Sequence, residues 1–166
     1  MRIGWKNAWL VDMILTNPFN AQDSRLLVED VVISHVCAFR QTTPHAAEAG
    51  GILLGFRRGE HLHVALATPP GPRDRRSKYH FFRAAEFHAQ IAHSEWVKAH
   101  ETMDYVGEWH THPENHPQPS ALDLQEWRQI CQRRKDPMVF IIQGLLGRWI
   151  GLGFGRDIRV SAVCKP

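Results

Sequence analysis

The chain has 166 residues, enough for one domain with a sizeable buried core. Apolar residues make up 43% and charged residues 22%, and a net charge of +3 speaks against a polycation that binds nucleic acid through bulk charge. Three cysteines, Cys37, Cys131 and Cys164, with no C-x-x-C pair, speak against a disulfide framework and a four-cysteine zinc site.

Residues 1–23 are mixed and Asn-rich and are set apart as an N-terminal segment of unknown role, ahead of a domain over 24–166. The opening MRIGWKNAWL lacks a signal-peptide core, and no stretch is long enough to cross a bilayer, so a reduced, cytoplasmic protein without a membrane partner is expected. From Ser24, the residues Leu27, Val31, Val32, His35, Val36 and Phe39 recur near helical spacing and predict a helix over about 29–41. The run T-T-P-H then breaks it. Residues 50–56 and 61–69 read as two strands of a hairpin joined by R-R-G-E. Residues 69–78, PPGPRDRRSK, read as a loop. A helix is predicted over 84–100, with Phe87, Ile91 and Trp96 facing inward. A strand follows over 105–110, a helix over 121–135, and three strand candidates in MVFIIQG, RWIGLGFG and IRVSAVC. Cys37 and Cys131 fall in helical stretches and read as free thiols of the core. Interleaved strands and helices, with some strands adjoining as hairpins, predict an α/β domain with a mixed sheet flanked by helices.

Residues 107–123, GEWHTHPENHPQPSALD, carry the densest chemistry. In a strand, alternate side chains share a face, so His110 and His112 point the same way. Pro113 ends the strand, and the stiff polar run ENHPQP forms a loop. Ser120 then opens a helix, and the loop can bring Asp123 back over the strand end. Two imidazoles and a carboxylate leave a fourth position open, which is the pattern of a catalytic zinc rather than a structural one. Two alternatives stand beside this: His116 replaces Asp123 as third ligand, or Ser120 and Asp123 are only a helix N-cap pair. Metal-assisted hydrolysis also needs a base, and Glu48, Glu86, Glu101, Glu108 and Glu114 are available. Glu108 shares the strand face of both histidines and is the first choice on local grounds. Trp109 points to the other face and reads as core.

The array His110-Thr111-His112, seven residues beginning at Pro113, then Ser120, two residues and Asp123 resembles the JAMM motif of the JAB/MPN metalloproteases. HAAEAGGILLGF at 45–56 resembles the family's upstream element, a glutamate just before a glycine-bearing strand. The resemblance spans roughly 25–155. It implies a single-domain MPN/JAB fold of cytidine-deaminase-like architecture, with Zn²⁺ held by His110, His112 and Asp123. It assigns Glu48, not Glu108, as the group that takes a proton from the attacking water and gives it to the leaving amine. Ser120 becomes the hydrogen-bond donor to the oxyanion. The activity implied is that of a zinc-dependent peptidase or isopeptidase, deubiquitinase-like, acting on a protein conjugate at the C-terminal tail of a ubiquitin-like or conjugated protein. GEWHTHP, the length and the segment around 69–88 look most similar to small stand-alone bacterial members, including those of antiphage CBASS operons. There the implied partner is a cyclic-nucleotide synthase linked to its targets by an E1/E2-like enzyme. A non-catalytic MPN scaffold and, further off, a metal-dependent nuclease remain as alternatives; a zinc deaminase does not, because no C-x-x-C is present.

The segment RDRRSKYHFFR at 73–83 holds five cations and one acid, followed by aromatics. It reads either as a solvated loop anchored by those aromatics, or as a substrate wall in which Arg73, Arg75, Arg76, Tyr79 and Phe81 engage the incoming tail.

Overall fold

The computed structural model describes residues 12–164. Its main sheet has eight strands in the order β1(Met13–Thr16), β2(Arg25–Val28), β4(His61–Ala67), β3(Gly50–Arg58), β7(Asp104–Thr111), β8(Met138–Gln143), β9(Arg148–Phe154), β10(Asp157–Val160). Only the β2–β4 and β7–β8 pairs are parallel, so the sheet is mixed. A separate two-stranded sheet is formed by β5(Arg75–Ser77) and β6(His80–Phe82). Three helices complete the set: α1(Asp30–Ala38), α2(Ala85–Lys98) and α3(Ala121–Gln132).

The main sheet curls until its two edges meet. Just past β10, Ala162 accepts from the Thr16 amide at 2.8 Å, the Cys164 amide donates to the Ile14 carbonyl at 2.9 Å, and Leu15 bridges Val163. The inner face is filled by Leu15, Leu26, Leu53, Val64, Trp109, Ile141 and Leu152 together with Val32, Ile33 and Val36 of α1. On the outer face Trp127 and Cys131 of α3 pack on Met138, Phe140, Ile142 and Trp149, with Trp127 stacked on both Phe140 and Trp149.

One irregularity sets the face on which the chemistry lies. The β3–β7 register shifts between Leu53↔Gly107 and Leu54↔Tyr105, leaving Val106 as an extra residue. Val106 and Trp109, three apart, therefore both point into the core. Tyr105 and Glu108 share the outer face, where the Tyr105 hydroxyl donates to Glu108 at 3.0 Å. From Glu108 onward ordinary alternation resumes.

Several expected elements differ. Strands β1 and β2 are missing from the sequence reading, because four-residue strands give too short a run to show a period and Leu27 merges with the helical pattern of α1. Helix α1 ends at Ala38 rather than near 41, which frees the Gln41 amide to donate to Ala46 O at 3.0 Å and Lys78 O at 2.9 Å. Helix α3 ends at Gln132 rather than 135. The segment 69–78, read as a loop, contributes Arg75–Ser77 to the β5–β6 hairpin. In α2, Trp96 is exposed and Phe87 and Ile91 are only half-buried; the fully buried residue is His88.

Candidate metal centre

His110 and His112 extend from the end of β7 on the outer face of the sheet, and both are buried. His112 stays in line because its amide donates to Gln143 O of the parallel neighbour at 3.0 Å. Asp123 arrives on the first turn of α3. Ser120 is the N-cap of that helix and closes a capping box: its Oγ accepts from the Asp123 amide at 3.1 Å, and Asp123 Oδ2 accepts from the Ser120 amide at 2.6 Å. The cap and the clustering with both histidines are thus compatible in one carboxylate. The cap fixes the carboxylate, and the fixed carboxylate faces both rings. His110 Nε2 lies 3.2 Å from Asp123 Oδ1, and His112 Nε2 lies 3.5 Å from Oδ2. The two Nε2 atoms are 3.0 Å apart.

These spacings test whether a metal fits. Zinc bonds of 2.0–2.1 Å in a tetrahedron separate neighbouring donors by about 3.3 Å. The three separations fall on either side of that value, and the two nitrogens and one carboxylate oxygen lie within 4.8 Å of one another. Facing imidazole nitrogens at this distance need a cation or proton between them. The electrostatics agree. Burial alone would raise the Asp123 carboxyl, but hydrogen bonds from His110 and His112 outweigh it and hold the group well below the usual carboxylate range. Burial alone would lower His112, but the hydrogen bond and charge of Asp123 win and raise it. The cluster is built to hold positive charge. His116 stands apart from it, beside Gly147.

Glu48 lies two residues before β3 on irregular backbone and is brought alongside by the β3–β7 pairing. Its neighbour Ala49 accepts from the Thr111 amide at 2.8 Å and donates to the Thr111 hydroxyl at 2.9 Å. Burial pushes the Glu48 carboxyl up to about 7; His112 opposes this, and the charges of Asp123 and Glu114 add to it. Glu108, the first choice by strand alternation, does reach the cleft but is taken: Arg83 donates to it at 2.5 Å and Tyr105 at 3.0 Å. Trp109 is core, its indole N–H donating to Thr68 O at 3.0 Å.

A cleft of about 580 Å³ opens over the cluster. Its floor is β7, with Glu48 and the two histidines. One wall is the β5–β6 hairpin with Tyr79, His80, Phe81 and Phe82; the other is α3 with Leu122, Glu126, Ile130 and Arg133. The α3 wall was missed in the sequence, although 122, 126, 130 and 133 follow the helical period and could have been read as one stripe. Of the basic-segment residues, Tyr79 and Phe81 line the cleft. Arg73 points elsewhere, pairing with Glu86 at 2.8 Å. Arg75 stacks over the Phe82 ring at 4.3 Å, and Arg76 turns inward to the backbone of Glu48.

The base of the hairpin is clasped by a buried group absent from the sequence reading. Asp74 Oδ2 accepts from the Gly71 amide at 2.6 Å and Oδ1 from the Ala84 amide at 2.8 Å, so one carboxylate joins both ends of the hairpin. His88 Nε2 lies 3.2 Å from it and His88 Nδ1 lies 2.7 Å from the Thr68 hydroxyl, all buried. No spacing rule marks an Asp in a Pro-rich loop and a His 14 residues further on as partners; only the fold joins them.

Among the described residues no helix is long and apolar enough to cross a membrane. Residues 30–150 match the family described as prokaryotic homologs of the JAB domain. Over 137 residues the chain is 33% identical to a CD-NTase/cGAS isopeptidase of Escherichia coli (strain TW11681), covering 82% of this chain and 87% of the relative. It is 40% identical over 114 residues to a CD-NTase/cGAS isopeptidase of Pseudomonas aeruginosa, covering 68% and 72%. A protein of the same name from Vibrio cholerae is 33% identical over 129 residues, covering 78% and 82%. The solution structure of a Desulfitobacterium hafniense protein shares the fold, with a TM-score of 0.58 at 22% identity over 80% of this chain and 87% of that one.

Proposed function

The chain belongs to the prokaryotic JAB-domain family, and from that premise we propose that it is a zinc-dependent isopeptidase. Its substrate is a CD-NTase, a cyclic-nucleotide synthase, joined through its C-terminal carboxyl to an amine on another molecule. The work is deconjugation in cytoplasmic antiphage defence, opposite an E1/E2-like enzyme that makes the bond. The observation that carries this reading is the convergence of His110, His112 and Asp123 beside a buried Glu48, at the floor of an open cleft. The relatives' shared name supports the substrate class.

His110, His112 and Asp123 would hold the ion. Bound there, zinc supplies a Lewis acid that polarises the scissile carbonyl and draws the pKa of water toward about 7. Glu48, with a carboxyl pushed to about 7, can both take a proton from the attacking water and return it to the departing amine near neutral pH. Ser120 Oγ spends a lone pair on the Asp123 amide, which leaves its hydroxyl hydrogen free to donate toward charge developing on the carbonyl oxygen. Tyr79 and Phe81 offer an apolar rail for the extended tail. The nuclease reading rested on the basic segment, and Arg76 of that segment is engaged with the backbone of Glu48.

The test is a CD-NTase whose C-terminal carboxyl is joined to the Nζ of a fluorescent lysine peptide. Glu48→Gln should bind zinc at the wild-type level and lose at least about 10²-fold in kcat. Wild-type kcat/KM should fall as pH drops through about 7, where Glu48 takes up its proton and stops acting as base. A fully active Glu48→Gln would return the role to another group.

A further inference from the structure

Arg76 is the cation of the β5–β6 hairpin that turns toward Glu48. Its Nε donates to Glu48 O at 2.6 Å and its Nη2 to Ala47 O at 3.3 Å. The contact is not isolated. The Glu48 amide donates to Ser77 O at 2.8 Å, and Gln41 joins Lys78 O to Ala46 O while its own oxygen accepts from the Thr111 hydroxyl at 3.2 Å. On the same side the Phe81 ring packs against Gly50, where an added Cβ would meet it at 2.5 Å. The irregular segment 46–49 is therefore gripped on both sides, by β7 through Thr111 and by the cleft-wall hairpin through Arg76 and Ser77. Irregular backbone has no ladder of its own to hold a side chain in place. Arg76 is the only side chain of the hairpin found supplying such a hold, and a planar guanidinium reaching two successive carbonyls fixes direction as well as distance.

We infer that Arg76 is a positioning residue for Glu48: the hairpin that forms the cleft wall also sets the backbone of the base, so wall and base sit as one body. The inference rests on the general-base reading of Glu48. It also divides the basic segment, since Arg76 then governs turnover while its neighbours face solvent. Arg76 touches no reacting atom, and its effect passes entirely through the Glu48 backbone.

The same lysine-peptide reporter tests it, with zinc content and thermal melting measured alongside. Arg76→Ala should lower kcat by about a hundredfold, as misplacement of a reacting group does, with KM little changed and zinc retained. Arg76→Lys should recover part of that loss, because an ammonium reaches one carbonyl but not both in fixed geometry. Added guanidinium should restore turnover to the alanine variant, which repair of a general folding defect would not do. In the Glu48→Gln background, Arg76→Ala should have almost no further effect, because the group it positions no longer works. Full additivity there, or an unchanged kcat in the single variant while Glu48→Gln is inactive, overturns the positioning role and leaves the site reading intact. An active Glu48→Gln would overturn both.

Discussion

The His110–His112–Asp123 cluster and the β5–β6 hairpin bound the same cleft but are held by different means. His110, His112 and Asp123 grow from the sheet and from a capped helix, are buried, and hold one another at 3.0–3.5 Å. The hairpin has three residues per strand, forms a sheet of its own, and is largely exposed, with Tyr79 at 72%. Its fixed points are few: Asp74 at its base, Arg76 and Ser77 at Glu48, and Phe81 on Gly50. The lesson is a division of labour. The buried His–His–Asp cluster stands on main-sheet and helix-cap geometry, while the exposed cleft wall stands on a short appendage tied down at selected atoms.

The largest effect should come from breaking the cluster side. His110→Ala should lose the metal and at least about 10³-fold in turnover, since the Lewis acid is worth several kcal/mol. Asp123→Ala should add a second loss, about 0.5–2 kcal/mol of stability from the cap, whereas Asp123→Asn should keep most of the cap while weakening zinc. Zinc analysis and urea titration separate the two losses; equal stability of the alanine and asparagine variants would dissolve the link between cap and ligand.

Next in size is the hairpin's clasp. Asp74→Ala leaves the Gly71 and Ala84 amides and His88 without their acceptor in a buried place, for a cost of about 3 kcal/mol. Hydrogen exchange should quicken over 71–84 while the cluster keeps its zinc, and uniform quickening across the sheet would contradict the division of labour. The clasp also has a pH sense. Burial lowers His88 more than Asp74 raises it, so the native ring resists a proton that the unfolded chain accepts. Stability should therefore be full above the ordinary histidine range and decline as pH falls below it.

The smallest effect is on the outward cations. With Arg76 left in place, changing both Arg73 and Arg75 to Ala should raise KM for the conjugate a few-fold at low salt, less at high salt, with kcat unchanged. Salt-independent kinetics in that variant would leave these two residues without a part in capture.

How much of this was legible follows from range. His110 and His112 obey a period of two, and Ser120 and Asp123 obey a cap rule, so local pattern placed all four. Glu48 obeys neither. The same alternation that found the histidines favoured Glu108, and only a partner 25 residues away, Arg83, shows that this carboxylate is already engaged. Resemblance to a family, not physics of spacing, pointed to Glu48. The helical period overran α1 because nothing local announces that Gln41 is needed elsewhere as a hub. His88 was hidden among apolar neighbours in α2, where periodicity favours Phe87 and Ile91 and cannot see a buried Asp74. β1 was beyond reach because half of its partners lie at the other end of the chain.

That last pairing has a consequence for how the protein is made. Thr16 and Ala162 are separated by 146 positions, and the hydrogen bond between their backbones closes the sheet. Contacts of such separation are slow to form, because the chain between them must be ordered first. During synthesis β1 and β2 can pair as soon as both have left the ribosome, yet the outer edge of β1 stays open until the segment at 162–164 emerges. The segment at 162–164 thus acts as the latch that covers this edge of the sheet.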